Sequence, residues 1–133
     1  MKIKKEVYPL AVSKRFVAIL EREIKQAGID ATDGVVINFR DPEYDVDWGG
    51  YHPVEVMIAY DGTIQYITDF AYVGTHPYHE LAKELDWDIN MKLFQQMGRD
   101  YPIRQGRGLY RLWQANFCAY YDNGVFAVSV GAI

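Results

Sequence analysis

The stretch NFRDPEYDVDWGGYHPVEVMIAYDGTIQYITDF, residues 38–70, decides the fold of this chain. Within it, Asp61-Gly62 separates two segments, 52–60 and 63–70, in which apolar and polar residues alternate. Alternation at every second residue is typical of a half-buried β-strand. Asp-Gly is a frequent pair in two-residue hairpin turns, because both turn positions need a positive φ. The stretch therefore predicts an antiparallel hairpin.

The predicted turn also fixes which residues face each other across the hairpin. Met57 is expected opposite Tyr66, and Val54 is expected opposite Asp69. Since residues directly opposite share a face of the sheet, His52 and Asp69 should lie diagonally adjacent near the open end of the hairpin. Both faces carry apolar residues, so we expect other parts of the protein to cover each of them.

Helix and strand patterns flank the hairpin. Ser13 and Gly28 are suited to cap a helix over 14–27, in which apolar residues recur every three or four positions. Five further segments have recognisable patterns: a strand over 35–39, helices over 76–85, 91–97 and 109–121, and a central strand over 125–130. Antiparallel strands with helices gathered before and after them indicate an α+β domain.

Length and composition restrict the class of protein. The chain of 133 residues, half of them apolar, is a single domain by its length. Its net charge of −4 argues against non-specific binding to DNA. The single cysteine, Cys118, excludes an internal disulfide and is expected to be a structural thiol. The start lacks the apolar run of a signal peptide, and no run is long enough to span a bilayer, so we expect a cytoplasmic protein without membrane contact.

Several motifs resemble one bacterial family. NFRDP at 38–42, GGYHPVE at 49–55, YITDF at 66–70 and the terminal helix around Phe117 resemble the domain of unknown function DUF2787. Members of that family are small proteins that are often carried on genomic or pathogenicity islands. The family is similar in fold to the acidic mitochondrial matrix proteins that bind the globular heads of complement C1q.

This resemblance implies a twisted antiparallel sheet of about four to six strands, with an N-terminal helix and C-terminal helices packed on it. It also implies a homo-oligomer, a dimer or a trimer, that acts by binding a protein partner. Because the family has no established activity, the resemblance assigns no catalytic residue and no cofactor.

His52 and Asp69 are the first candidates for chemistry. A carboxylate beside an imidazole fixes its tautomer and raises its basicity, as a general base or a metal ligand requires. The pair is therefore a candidate centre for a metal-dependent or acid/base hydrolase. A structural hydrogen bond at the end of a strand is the favoured alternative, because such pairs are common.

The other two histidines form a weaker candidate. His76 and His79, three residues apart, would share a helix face and could join His52 or Glu80 in a zinc site. However, HPYHE is not the HExxH pattern, in which histidines four residues apart bracket the glutamate. We therefore expect no metal, and we interpret these residues as exposed histidines near the start of a helix.

An acidic loop precedes the hairpin. Carboxylates alternate along it with three aromatic residues among them: Asp41, Glu43, Tyr44, Asp45, Asp47, Trp48 and Tyr51. A calcium loop needs glycine and glutamate at its sixth and twelfth positions, where this loop has Val46 and His52. The loop is therefore interpreted as solvated or, if Trp48 is exposed, as a docking surface for a basic partner.

Arginine collects later in the chain, at Arg99, Arg104, Arg107 and Arg111. Arginine with glycine and tyrosine can hold phosphate or nucleic acid. The sequence GRG is not a phosphate-binding P-loop, so nucleic acid is not expected as a partner. A surface that pairs with the acidic loop of another copy is at least as well supported.

No segment matches a catalytic motif well enough to name a reaction. The sequence favours a non-enzymatic protein-binding module whose contact residues include the acidic loop, Arg104 and Arg107. Two alternatives remain: a hydrolase centred on His52 and Asp69, and a nucleic-acid-associated protein that uses Arg104, Arg107 and Arg111.

Overall fold

The computed structural model describes residues 1–133, which form two α-helices and nine strands. In chain order these are β1 (Glu6–Val7), β2 (Leu10–Ala11), α1 (Lys14–Ala27), β3 (Gly34–Arg40), β4 (Val54–Ala59), β5 (Ile64–Val73), β6 (Glu80–Asp88), β7 (Leu93–Gln96), β8 (Arg99–Pro102), α2 (Arg107–Asp122) and β9 (Ala127–Ala132). A single 3₁₀ turn, Ile103–Gly106, leads into α2.

Seven of the strands form one antiparallel sheet in the order β8-β7-β6-β5-β4-β3-β9, and β1 pairs with β2 separately. Strands β3 to β8 are a meander in which each strand pairs with the next along the chain. The predicted α+β class is confirmed, but the sheet is larger than the four to six strands expected. The additional strands come from 80–102, where the sequence pattern indicated helices over 76–85 and 91–97.

The central hairpin has the predicted register over most of its length. Met57 faces Tyr66, and Val54 faces Asp69, as expected. A bulge after Met57 then shifts the pairing by one residue, so that Ile58 faces Ile64. Because of that shift, the turn is longer than the two residues predicted, and Ile64 is buried on the same face as Ile58.

Two predicted helices are wrong, and so is the predicted central position of the last strand in the sheet. The segment 76–85 is a turn followed by β6, and 91–97 is a turn followed by β7. Pairing with β5 along the whole of β6, and with β7 from Leu85 onward, overrides the helical preference of residues 80–85. The last strand is at the edge of the sheet instead of its centre, because β9 pairs only with β3.

The two helices cover one face of the sheet. Along β3 and β4 the buried side chains alternate with half-buried ones, as a sheet covered on one side requires: Val35, Ile37, Phe39, Val54, Val56 and Ile58 are buried. Helix α1 has the predicted bounds, since Ser13 Oγ accepts a hydrogen bond from Phe16 N at 3.1 Å and Gly28 ends it at φ 63°.

Aromatic rings join the helices to the sheet. Phe117 of α2 lies 4.9 Å from the ring of Phe39 and 5.6 Å from that of Phe16, both edge-on. Trp113 and Trp87 lie 5.3 Å apart in the same layer. Cys118 is buried beside them, and burial raises the pKa of its thiol, as expected for a structural cysteine.

The opposite face of the sheet carries a row of polar residues, one from each strand of the meander: Asn38, Glu55, Thr68, Asp86, Gln95 and Asp100. Neighbours in this row are joined by hydrogen bonds, from Thr68 Oγ1 to Asp86 Oδ1 at 2.7 Å and from Gln95 Nε2 to Asp100 Oδ1 at 2.8 Å. We expected both faces of the hairpin to be covered. The helices cover one face, and the face with the polar row has no helix on it.

Candidate functional site

A pocket of about 370 Å³ opens where β4 begins, between the sheet and α2. Its polar walls come from His52, Asp69, Glu84 and Asn116. Apolar and aromatic side chains complete it: Tyr51, Val54, Leu85, Trp113, Phe117, Tyr120 and Phe126. A largely apolar cavity with a few convergent polar groups is the usual form of a ligand site.

His52 and Asp69 meet in this pocket, as the hairpin register predicted. His52 Nδ1 lies 2.8 Å from Asp69 Oδ1, and Asp69 Oδ2 accepts a hydrogen bond from Trp113 Nε1 at 2.9 Å. The Asp69 side chain is only 9% exposed. Its hydrogen bond to the imidazole raises the pKa of His52, against the opposing effect of burial.

Glu84 is a third member of the site that the sequence did not indicate. Between β5 and β6 the pairing steps from Asp69–Leu85 to Phe70–Lys83, which leaves Glu84 as the extra residue of a bulge. The bulge turns its side chain to His52, whose Nδ1 lies 2.9 Å from Glu84 Oε2. The prediction missed it because 76–85 was interpreted as a helix, and no local motif marks a bulge there.

The loop of residues 41–51, here called the acidic-aromatic loop, is fixed by two of its own carboxylates. Asp41 accepts hydrogen bonds from the backbone N–H of Glu43 and of Tyr51, at 2.9 and 3.0 Å. Asp45 accepts from the backbone N–H of Asp47 and of Trp48. Such bonds from Asp to nearby backbone are typical of turns. Glu43 and Asp47 keep their carboxylates free.

Three aromatic residues of this loop have different positions. Tyr44 stacks on Tyr72 with ring centroids 5.2 Å apart, and its hydroxyl accepts a hydrogen bond from the Tyr72 N–H. Tyr51 packs against Tyr120 at 4.5 Å and lines the pocket. Trp48, in contrast, is 89% exposed. Two rings therefore anchor the loop to the domain, while the third projects into solvent.

The arginines do not form one cluster. Arg104 donates a hydrogen bond to the Tyr8 hydroxyl at 2.7 Å and lies over its ring. Arg107 and Arg111 are exposed on α2. Gly106, between Arg104 and Arg107, has a packing role, because this buried glycine accepts a hydrogen bond from Trp87 Nε1 at 2.9 Å through its backbone carbonyl. Nothing in this geometry resembles a phosphate cradle.

His76 and His79 lie away from His52. Their rings are 5.9 Å apart in the turn before β6, not on a helix face as predicted. Glu80 is the first residue of β6. The three histidines therefore do not come together, and the groups that converge on His52 are the carboxylates of Asp69 and Glu84.

The family model described as "Protein of unknown function (DUF2787)" matches residues 14–131. The chain belongs to this family. The resemblance inferred from the motifs between residues 38 and 70 is thereby confirmed. No curated protein matches the chain.

Two solved structures are similar to this DUF2787 chain over 92% of its length and 95% of theirs. One is the hypothetical protein VC0508 from the Vibrio cholerae VSP-II pathogenicity island, with 38% identity and a TM-score of 0.80. The other is the conserved hypothetical protein VC1805 from pathogenicity island VPI-2 of Vibrio cholerae, with 38% identity and a TM-score of 0.79. The latter is described as sharing structural homology with the human P32 protein.

Neither helix of the DUF2787 chain is long and apolar enough to cross a membrane.

Proposed function

We propose that this DUF2787 protein is a non-enzymatic protein-binding module that recognises a basic partner through the acidic-aromatic loop. The observation that supports this most directly is the 89% exposure of Trp48. Tryptophan is among the residues that most often dominate the energy of protein interfaces. A tryptophan held in solvent contributes nothing to the core, so a role in contact with another molecule accounts for its position.

The loop is suited to binding because its backbone is already ordered. Hydrogen bonds to Asp41 and Asp45 fix the turns on either side of Trp48, and Asp45 and Gly49 exchange two backbone hydrogen bonds of 3.0 Å. The rings of Tyr44 and Tyr51 attach both ends to the domain. A contact surface that is ordered before binding loses less conformational entropy on association.

Charge gives the class of partner. The acidic-aromatic loop contains Asp41, Glu43, Asp45 and Asp47 and no lysine or arginine. Complementary charges across an interface favour association and exclude partners of like charge. A partner that presents lysine or arginine around an apolar recess for Trp48 fits this surface.

The first experiment compares Trp48→Ala with Tyr60→Ala. Tyr60 is a matched control, since it is 72% exposed and lies in the β4–β5 turn at the other end of the hairpin. Nuclease-treated affinity purification from the native cells identifies the partner, and calorimetry with the purified partner measures affinity. We expect Trp48→Ala to weaken binding by about 30-fold or more, while Tyr60→Ala leaves it within about twofold.

Charge reversal tests the class of the same partner. The double variant Glu43→Lys with Asp47→Lys should bind the partner more weakly as the salt concentration is lowered. Asp33 is an exposed acid at the far end of β3, and Asp33→Lys should not have this effect. Equal affinities of Trp48→Ala and Tyr60→Ala, or recovery of no chain except the protein itself, would contradict the proposal.

A hydrolase centred on His52 and Asp69 is the second candidate, favoured by the position of both residues in a pocket. In that reading, His52 is the general base and Asp69 orients it, with Trp113 holding Asp69 in place. Turnover of ester or phosphoester substrates that is lost in His52→Gln would support it. The nucleic-acid alternative has no such support, since Arg104 is bound to Tyr8.

A further inference from the structure

We propose that His52, Asp69 and Glu84 bind a divalent transition-metal cation of the zinc class in the wall of the pocket. This inference is independent of the acidic-aromatic loop and of any hydrolytic activity. It concerns a binding site, and it rests on the positions of three donor atoms and on one unsatisfied oxygen.

The three donor atoms already converge. His52 Nδ1 lies 2.8 Å from Asp69 Oδ1 and 2.9 Å from Glu84 Oε2, and all three atoms lie within 4.8 Å of one another. Two ligands of a tetrahedral zinc ion, each at the usual 2.0–2.1 Å, are about 3.3 Å apart. The two short separations therefore need to widen by a few tenths of an ångström, and the oxygens of Asp69 and Glu84, at most 4.8 Å apart, need to reach the same spacing. Partly exposed side chains at His52 and Glu84 leave room for that movement.

One of these oxygens lacks a hydrogen bond. The single Nδ1 proton of a neutral imidazole serves one acceptor, and Asp69 Oδ1 takes it. Glu84 Oε2 is inaccessible to solvent and has no hydrogen-bond partner, although Nδ1 is near. A buried acceptor without a donor is unfavourable, and such groups in folded proteins usually have a partner. A cation between the three residues satisfies this oxygen.

The charge around the cluster also favours a cation. Two carboxylates meet one imidazole, and neither forms an ion pair with a lysine or arginine. Lys83 is the nearest cation in the sequence, but its ammonium is 3.6 Å from Asp86 Oδ2 instead. The cluster consequently keeps a net negative charge in which a divalent ion is stabilised.

The surroundings of the cluster resemble those of metal sites that bind a further ligand. Trp113 Nε1 holds the second oxygen of Asp69 at 2.9 Å, which orients the carboxylate as outer hydrogen bonds do around bound metals. Three protein ligands leave a fourth tetrahedral position free for water or a small molecule. The pocket of about 370 Å³ adjoins the cluster and has space for that ligand.

Calorimetric titration of Zn²⁺ into the untagged, chelator-treated full chain tests the site. We expect one saturable site per chain, with Glu84→Gln and Asp69→Asn weakening it at least about 10-fold. His76→Ala with His79→Ala is the matched control, because that pair is the other place where histidines lie together. The control variant should bind Zn²⁺ as the natural sequence does, and so should Trp48→Ala.

Nuclear magnetic resonance supplies a readout that needs no substitution. Zn²⁺ bound to Asp69 should shift the indole N–H resonance of Trp113, which donates to that carboxylate, and leave the exposed Trp48 indole unchanged. Absence of saturable binding, or loss of binding in the His76/His79 variant with retention in Glu84→Gln, would overturn the proposal. In that outcome the cluster is an imidazolium held by two carboxylates. Either result leaves the test of partner binding through Trp48 unaffected.

Discussion

Asp86 is a charged residue buried on the sheet face that the helices do not cover. Its side chain accepts a hydrogen bond from Thr68 and lies 3.6 Å from the Lys83 ammonium, yet the residue is only 2% exposed. Burial raises the pKa of Asp86, and the contacts with Thr68 and Lys83 oppose that effect only in part. The ionised carboxylate is therefore less favourable in the folded protein than in the unfolded chain.

Asp86→Asn should gain stability relative to the natural sequence as pH rises. With its folded pKa raised, Asp86 contributes stability that is present below the unfolded pKa and lost as pH increases through the folded pKa. Asparagine does not ionise and can still accept the Thr68 hydrogen bond. Urea unfolding of both proteins at pH 4 and pH 8 measures the difference.

Asp33→Asn serves as the control for that comparison, since it removes an exposed carboxylate in place of a buried one. The free energy of unfolding of Asp86→Asn, relative to the natural sequence, should increase from pH 4 to pH 8. If this difference stays flat or falls, ionisation of Asp86 is not unfavourable in the folded state.

Some contacts between single residues could be predicted from the sequence, because they depend on the register of a single hairpin. The register inferred from the Asp-Gly pair and the local alternation brings His52 to Asp69, and it holds from Val54 to Met57 although a bulge after Met57 lengthens the turn itself. Glu84 was not predictable, because its position depends on a bulge formed by pairing between β5 and β6. The register at a bulge depends on how two strands pack together, which no short motif encodes.

Two glycines at the start of α2 have opposite surroundings. Gly106 directly precedes the helix, and Gly108 lies in its first turn. A side-chain carbon added to Gly106 would lie 2.5 Å from Phe94 Cγ and 2.8 Å from Trp87 Nε1. The same addition at Gly108 would meet nothing within 4 Å. The first glycine lets the 3₁₀ turn pack against the tryptophan layer, and the second is an exposed residue in the first turn of a helix.

Gly106→Ala should therefore destabilise the protein by about 1–3 kcal/mol, as overpacking of a core does. Gly108→Ala should stabilise it by about 0.5 kcal/mol, because alanine restricts the unfolded chain and favours a helix. The free energies of unfolding in urea, compared between the two variants, check this. Equal effects would mean that the close packing around Gly106 relaxes without loss.

Helices and strands differed in how well local patterns predicted them. Helix α1 was predicted to its ends because Ser13 and Gly28 cap it through contacts within a few residues. Strand β6 was missed because ELAKEL prefers a helix in isolation, and its pairing with β5 outweighs that preference. In the turn between β7 and β8, Met97 and Gly98 both have positive φ, and Gly98 was the one residue of this pair that could have indicated a turn from the sequence.

The assembled sheet has two edges of different character. Strand β8 (RDYP) carries charges and a proline, which protect an edge from pairing with other strands. Strand β9 (AVSVGA) has neither, and the side chains that flank it in the sequence, at 123–126 and 133, are uncharged as well. The β9 edge is consequently the more suitable place for contact between copies in the expected dimer or trimer.

Sedimentation velocity should give a multiple of 15.4 kDa for the natural sequence and 15.4 kDa for Ser129→Lys. Ser129 is exposed on β9, so lysine there leaves the fold intact, but two copies paired at this edge would bring like charges together. Gln26→Lys on the exposed face of α1 is the control. An oligomer that persists in Ser129→Lys would place the contact elsewhere, and a monomeric natural protein would contradict the expectation altogether.

The pairing of β9 with β3 also has a consequence for how the chain folds. Every other pair of neighbouring strands in the large sheet is consecutive in the chain, whereas β3 (Gly34–Arg40) also pairs with β9 (Ala127–Ala132), which is far away in sequence. Contacts between segments far apart in sequence form slowly, because the closure of a long loop loses entropy before it gains a contact. During synthesis on the ribosome, the β3 edge therefore stays open until nearly the whole domain has emerged.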